Sequence, residues 1–525
     1  MTTLIPLPFN PLTKEMGRGT NSRGIFFKMK FKHALLVSAA TLLSLASSGL
    51  AEVSLPHVFG DNMVLQRGQP VPVWGWAAPG EKISVEFAGQ RRSVTTDPAG
   101  KWAVRLRPLK ASAQPAEMKI SGANQIALTN VLVGEVWLCS GQSNMEKPIG
   151  TRSGQKPTRD HLQELAAADC PQIRLFLVKP AMSGTPVKDI TSDWQVCSSN
   201  SLEETKFSAV GYFFAREIQK ELNVPIGLIE SSWGGTRIEP WTPAVGFKSV
   251  PSLEELAFST ASGTNKPANT HPMVIYNAMI APLVAFAIRG ALWYQGESNC
   301  MGDHPDGTSY TAKMAALIQG WREVWGQKRL PFYYVQIAPF HYFHSRTPRV
   351  PTADALPEFW EAQTRALRIP DTGMAVITDL VENLNDIHPT QKKEVGKRLA
   401  NLALAKTYGQ KSRVCYGPMF KSAKFSKGRA VVTFDHAEGG LVNRDGRPLT
   451  WFTIAGADGK FVEAEAKIEG DKVVVRAASV AEPKAVRFAW DEGAQPNLFN
   501  AAGLPAGPFR TGNPPAPEPI RPRQH

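Results

Sequence analysis

Cysteine is scarce in this 525-residue chain: five are spread from Cys139 to Cys415, and no two form a CxxC pair. Nothing therefore resembles a zinc site, and neither metal nor cofactor is expected. Cys170 and Cys197, close in sequence within a loop-rich stretch, are the first pair to consider for a disulfide, while Cys139 reads as a buried small hydrophobe. Blocks of five or six like charges are also missing, which argues against a nucleic-acid partner despite a formal net charge of +13. Residues 1–51 supply +5 of that charge through Lys14, Arg18, Arg23, Lys28, Lys30 and Lys32 set against Glu15, leaving +8 for the rest. Beyond the leader no apolar run is long enough to cross a bilayer, and no internal repeat is present.

The leader carries its own pattern. Lys28, Lys30, Lys32 and His33 precede the apolar stretch 34–46, and Ser47-Ser48-Gly49-Leu50-Ala51 follow. A basic segment, a short apolar segment and small residues before a cut describe a secretory signal peptide, with cleavage expected after Ala51. Export to the periplasm or the exterior follows, without stable membrane insertion once the leader is cut. An uncleaved anchor is the alternative. Met1 and Met29 are both candidate starts.

Length and texture imply several domains. Residues 52–131 show short apolar runs such as Val71-Pro72-Val73-Trp74-Gly75-Trp76, punctuated by Pro79-Gly80 and Ala99-Gly100, which suggests a small β-sandwich. Residues 132–412 read as an α/β domain. It opens on the nearly continuous apolar run Val131–Cys139, as a strand buried on both faces requires. Helices are expected over 207–222, 310–325, 364–369 and 391–408, and strands over 224–229, 332–337, 374–378 and within 285–293. That alternation predicts an open parallel sheet covered on both faces. Stretches 246–271 and 340–357 read as long loops over a site. Residues 413–512 return to β texture, and 513–525, rich in Pro and Arg, read as a disordered tail.

Three segments carry the chemistry. Gly141-Gln142-Ser143-Asn144-Met145 follows the buried strand, Trp293-Tyr294-Gln295-Gly296-Glu297-Ser298-Asn299 comes later, and Asn385-Asp386-Ile387-His388-Pro389 precedes a helix. A serine, an aspartate and a histidine that a fold can bring together are the parts of a serine hydrolase. Gly141 allows the sharp turn that exposes Ser143, although Met145 stands where the G-x-S-x-G elbow has its second glycine. Ser143 could instead be an ordinary helix N-cap. His388 would take the Ser143 proton and Asp386 would orient the ring. Because Asp386 stands only two positions before His388 and must bend back to reach the ring, Asp379, Glu382 or a backbone carbonyl are alternatives for that last role. Candidate oxyanion donors are the Ser143 backbone N–H, a backbone N–H at Gly234-Gly235 and the Gln295 amide. Gln142, Asn144, Arg237, Trp241 and Glu297 are candidates to contact substrate, with an Arg237 ion pair to Glu239 or Glu297 as the structural alternative.

Together with Ser231–Trp241, these segments resemble the sialate O-acetylesterase family of carbohydrate esterases, within the SGNH hydrolase superfamily. Gly-Gln-Ser-Asn-Met, Trp-Gly-Gly-Thr…Glu-Pro-Trp, Trp-Tyr-Gln-Gly-Glu-Ser-Asn and Asp-Ile-His-Pro occur in order, and the resemblance spans most of residues 52–512. It implies a flavodoxin-like three-layer catalytic domain flanked by small β-sandwich-like domains. It also implies cofactor-free hydrolysis of acetyl esters on sugars, with Ser143 as nucleophile, His388 as base, and Gln295 and Gly235 as oxyanion donors. The superfamily's usual D-x-x-H has one residue more than Asp386-Ile387-His388. Acetylated sialic acid and acetylated plant polysaccharides both fit as substrate, and an inactive carbohydrate binder is the non-enzymatic alternative; the oligomeric state stays open.

Overall fold

A single strand, β1 (Gln125–Gly141), organises the molecule. Its first half pairs antiparallel with Ser112–Ser121, and its middle pairs in parallel with the short strand Val64–Gln66. Its second half is the centre of a mostly parallel sheet. The structure, a computed structural model, describes residues 52–259, 267–302, 308–437 and 439–512; the leader, its expected cleavage site and the tail from 513 lie outside the described residues.

After β1 come a one-turn helix α1 (Ser143–Glu146), strands β2 (Cys170–Leu177) and β3 (Trp194–Cys197), helix α2 (Ala209–Leu222) and strand β4 (Ile226–Ser232). Strand β5 (Gly290–Tyr294), helices α3 (Glu297–Gly302) and α4 (Thr308–Val324), and strand β6 (Phe332–Val335) follow. Helix α5 (Ala355–Arg365), strand β7 (Thr372–Ala375) and helix α6 (Lys392–Lys406) complete the unit. The sheet order is β7-β6-β5-β1-β4-β2-β3, parallel throughout except for the edge pair β2–β3. Alternate side chains of each central strand enter different cores. Trp137 and Cys139 of β1, with Leu292 and Tyr294 of β5, pack on the side of α2 and α6. Val136 and Leu138, with Ala291 and Trp293, pack on the side of α4 and α5. That two-sided burial explains the unbroken apolar runs.

The sequence expectations of α2, α4 and α6 are met to within about two residues at their ends. Ser208 starts α2 by accepting from the Gly211 N–H, and Asn223 ends it in the left-handed conformation. Two expectations are corrected. The helix expected over 364–369 begins at Ala355 instead, because Pro357 sits in its first turn, where a missing N–H costs nothing. The loop expected over 246–271 contains helical turns at Ala244–Lys248 and Pro251–Phe258.

The remaining described strands are β-rich additions. The ribbon Val71–Trp76/Lys101–Leu106 and the antiparallel set Lys82–Phe87, Gln90–Thr95 and Ser112–Ser121 precede the central sheet, and β1 passes through position 131 without a break. Two four-stranded antiparallel sheets after residue 418 enclose a separate core that includes Val432, Ile454, Val473 and Phe488. Cys170 and Cys197 stand opposite each other across β2 and β3, both as free thiols rather than a disulfide. Among the described residues, no helix is long and apolar enough to cross a membrane.

Candidate active site

Strand register sets the site. Gly141 is level with Ser232 of β4 on one side and with Tyr294 of β5 on the other. The loops that follow these three strands therefore emerge abreast at the carboxyl edge of the sheet, where open α/β sheets bind ligands. Gly141 has φ +141°, and a Cβ there would lie 2.2 Å from the Tyr294 carbonyl oxygen, so only glycine fits between the strands at this turn.

Each polar residue around the turn ties down a different segment. Gln142 is the N-cap position of α1. Its Oε1 accepts from Gln295 Nε2 at 3.1 Å, from the Gly296 N–H at 3.3 Å and from the Ser298 N–H at 3.2 Å. Asn144 donates through Nδ2 to Glu297 Oε1 at 2.6 Å and to the Ile387 carbonyl at 3.0 Å. Glu146 accepts the Gly234 N–H on Oε2 at 2.8 Å and pairs with Arg152 through Oε1. Within 141–145 only Ser143 keeps partial exposure. Ser143 is thus the first residue of α1 rather than its N-cap, and its side chain is the one left facing outward.

The Ser143 Oγ lies 2.9 Å from His388 Nε2. His388 is reached by the loop after β7, and Gln155 Nε2 approaches the same ring nitrogen at 3.5 Å. Asp386 Oδ1 accepts the His388 backbone N–H at 3.0 Å and stands 3.9 Å from Nδ1, close enough for attraction but too far for a hydrogen bond to the ring. The alternatives are engaged elsewhere. Asp379 forms a bidentate pair with Arg398, and Glu382 accepts from Arg159 and Thr390. Burial pushes His388 down to about 4; Lys392 and Lys147 push it further the same way, against Asp386. The imidazole is therefore neutral at ordinary pH and able to accept a proton.

Several expected ligand contacts prove to be scaffold. Gln295 is fully buried; its Nε2 donates to Gln142, Asn299 and the Thr236 carbonyl, and its Oε1 accepts from Tyr310. With its amide hydrogens committed, it is not turned toward Ser143 as an oxyanion donor. Trp241 is likewise fully buried, edge-on to Trp293, with Nε1 donating to Thr236. Gln142, Asn144 and Glu297 are buried in the network that joins the loops. Arg237 pairs with Glu239 at 3.0 Å, as its structural alternative required. Gly235, with φ +75°, is exposed, and neither its N–H nor that of Ser143 has a partner among the described residues.

Two lysines were not anticipated. Lys147 and Lys392 are buried beside His388, and burial lowers them to about 8 and about 7. Lys392 was detectable in principle: in α6 it shares the face of Val395 and Leu399, where a lysine is out of place. Lys147 had no such signal.

Residues 133–405 match the family described as carbohydrate esterase, sialic acid-specific acetylesterase. The human sialate O-acetylesterase is 32% identical over 395 residues, covering 68% of this chain and 72% of that one. The rat sialate O-acetylesterase is 27% identical over 515 residues, covering 86% of this chain and 92% of its own length. Among solved structures, a carbohydrate acetylesterase from Xanthomonas citri superposes with a TM-score of 0.79 at 39% identity, covering 88% of this chain and all of that one.

Proposed function

Because the chain belongs to the sialic acid-specific acetylesterase family of carbohydrate esterases, we propose that it hydrolyses O-acetyl esters on carbohydrates through an acetyl-Ser143 intermediate, with acetylated sialic acid as its substrate. The observation that carries the mechanism is the 2.9 Å contact between Ser143 Oγ and His388 Nε2. His388 takes the hydroxyl proton as the oxygen attacks the acetyl carbonyl, then returns it to the departing sugar alcohol. Water, deprotonated by the same nitrogen, releases acetate. The Ser143 and Gly235 N–H groups receive the developing negative charge, and Asp386 favours the protonated ring by charge alone.

The strand order supports an SGNH-type, flavodoxin-like domain. Strands β4-β1-β5-β6-β7 run 2-1-3-4-5 in their own chain order, with β2 and β3 added beyond β4. The leader's pattern supports export to the periplasm or beyond. A second reading, acetyl groups on plant polysaccharides such as xylan, would use the same mechanism; the Xanthomonas carbohydrate acetylesterase, at 39% identity, is named for no particular sugar.

Ser143→Ala tests the mechanism. A pure, folded variant should lose p-nitrophenyl acetate hydrolysis by several orders of magnitude. Retained turnover would end it. Acetate release compared across O-acetylated sialic acid and acetylated xylan decides between the substrates.

A further inference from the structure

Lys392 opens α6 four residues after His388, and its side chain is wholly removed from solvent. Both features are costly. An ammonium group loses its hydration on burial, and a cation at the first turn meets the positive end of the helix dipole. No carboxylate forms an ion pair with it within contact distance among the described residues. Instead Lys392 Nζ donates to Asn144 Oδ1 at 2.6 Å and lies 4.9 Å from the centre of the Tyr294 ring.

That bond fixes the Asn144 amide. A free amide can turn over and exchange its oxygen and nitrogen. Here the cation holds the oxygen on one side, and Glu297 Oε1 accepts from the nitrogen on the other. Burial holds the Glu297 carboxyl above its ordinary range, opposed by the Asn144 hydrogen bond and the Lys392 charge. The remaining Nδ2 hydrogen is thereby directed at the Ile387 carbonyl. Asn144 directly follows Ser143, and Ile387 directly precedes His388, so this one hydrogen bond links the two reacting segments through the immediate neighbours of the two reacting residues.

We propose that Asn144, its amide held in one orientation by Lys392 and Glu297, is a positioning residue that clamps the Ser143 segment to the His388 segment, and that Lys392 serves the clamp both as donor and as charge. The inference rests on Ser143 and His388 being nucleophile and base. The groups facing the imidazole are Lys392 from α6, Lys147 and Arg152 from the chain after α1, and Asp386 from its own loop. Glu297 and Glu382 are further charges that act on Lys392. Removing the Lys392 charge therefore eases protonation of His388 and moves the acid limb of activity upward in pH.

The test is steady-state hydrolysis of p-nitrophenyl acetate by full-chain Lys392→Met over a range of pH. The clamp requires kcat to fall about 10- to 100-fold with KM held within about two-fold, because misplacement by a fraction of an ångström spoils the attack and not the binding. It also requires an acid limb displaced upward. Wild-type kcat, or a lowered kcat with an unmoved acid limb, overturns the proposal. If Lys392→Met does not fold, the double variant Lys392→Met/Glu297→Gln removes the uncompensated carboxylate and must show the same pair of changes; restoration of wild-type kcat and acid limb would overturn the clamp. Ser143→Ala, run alongside, separates the two questions: activity surviving there removes the nucleophile itself, whereas its loss together with an unaffected Lys392→Met removes only the clamp.

Discussion

Ser143 and His388, 245 positions apart in the chain, meet at 2.9 Å because β1 and β7 run in the same direction within one parallel sheet. The imidazole at that contact is held near 4 by burial and by two neighbouring lysines. A base must be neutral to act, so kcat/KM should rise with pH through about 4 and be level well before 6.5, the ordinary value for histidine. A pH profile of p-nitrophenyl acetate hydrolysis checks this, and a limb near 6.5 would contradict it. Stability follows the same linkage. Between the two values the unfolded chain binds more protons at this position than the folded one, so the His388 contribution is present above 6.5 and is withdrawn as pH falls through 4.

Gly234 bears on the nucleophile from the β4 side. A Cβ at that position would sit 3.2 Å from Ser143 Cβ and 2.9 Å from Glu146 Oε2, the acceptor of its own N–H. Gly234→Ala should therefore push Ser143 away from His388 while the sheet stays intact, and kcat should fall about 10- to 100-fold for such a displacement. Circular dichroism unchanged alongside reduced turnover would bear this out; wild-type turnover would show that the loop yields instead.

Gln142 is the joint between the serine turn and α3. Its Oε1 accepts three hydrogen bonds from the Gln295–Ser298 segment, those from Gln295 and Gly296 in the interior and that from Ser298 partly buried. Gln142→Ala leaves the Gly296 and Ser298 N–H groups without this acceptor, at a cost of about 1–3 kcal/mol each if nothing rearranges, while Gln295 Nε2 keeps Asn299 and the Thr236 carbonyl. Denaturant unfolding should register a loss of at least that order. Stability equal to wild type would mean that water enters to replace the amide.

How much of this was written in the sequence depends on what each residue touches. The β/α alternation and the three motifs were legible because a strand buried on both faces leaves an unbroken apolar run, as in Val131–Cys139, and because Gly141 marks a turn. The division of labour inside the motifs was not. Gln295 and Ser143 both follow parallel strands, and only the packing of Tyr310, Asn299 and Thr236 around the amide shows that it braces the loops. Trp241 is a candidate substrate contact from sequence, yet its ring packs edge-on to Trp293 and its Nε1 donates to Thr236. Aromatic composition alone cannot separate a ligand face from a core face, since that depends on tertiary neighbours. The start of α5 was missed because Pro357 was read as a loop residue, when a first-turn proline is compatible with a helix.

Asp386 offers the sharpest contrast with Lys392. Its Oδ1 accepts the His388 backbone N–H, which asparagine can also do, so Asp386→Asn keeps the loop and removes only the charge. At 3.9 Å from Nδ1 that charge is not hydrogen-bonded to the ring. The expected loss in kcat is therefore about ten-fold or less, far below the roughly 10⁴-fold typical where a buried aspartate holds the imidazole directly. The direction in pH is fixed as well. Asp386 raises the His388 value, so its neutralisation should move the acid limb below that of wild type, whereas Lys392→Met should move it above. Kinetic profiles of the two variants measured together must diverge in opposite directions from the parent; a shared direction would mean that the acid limb belongs to some group other than His388.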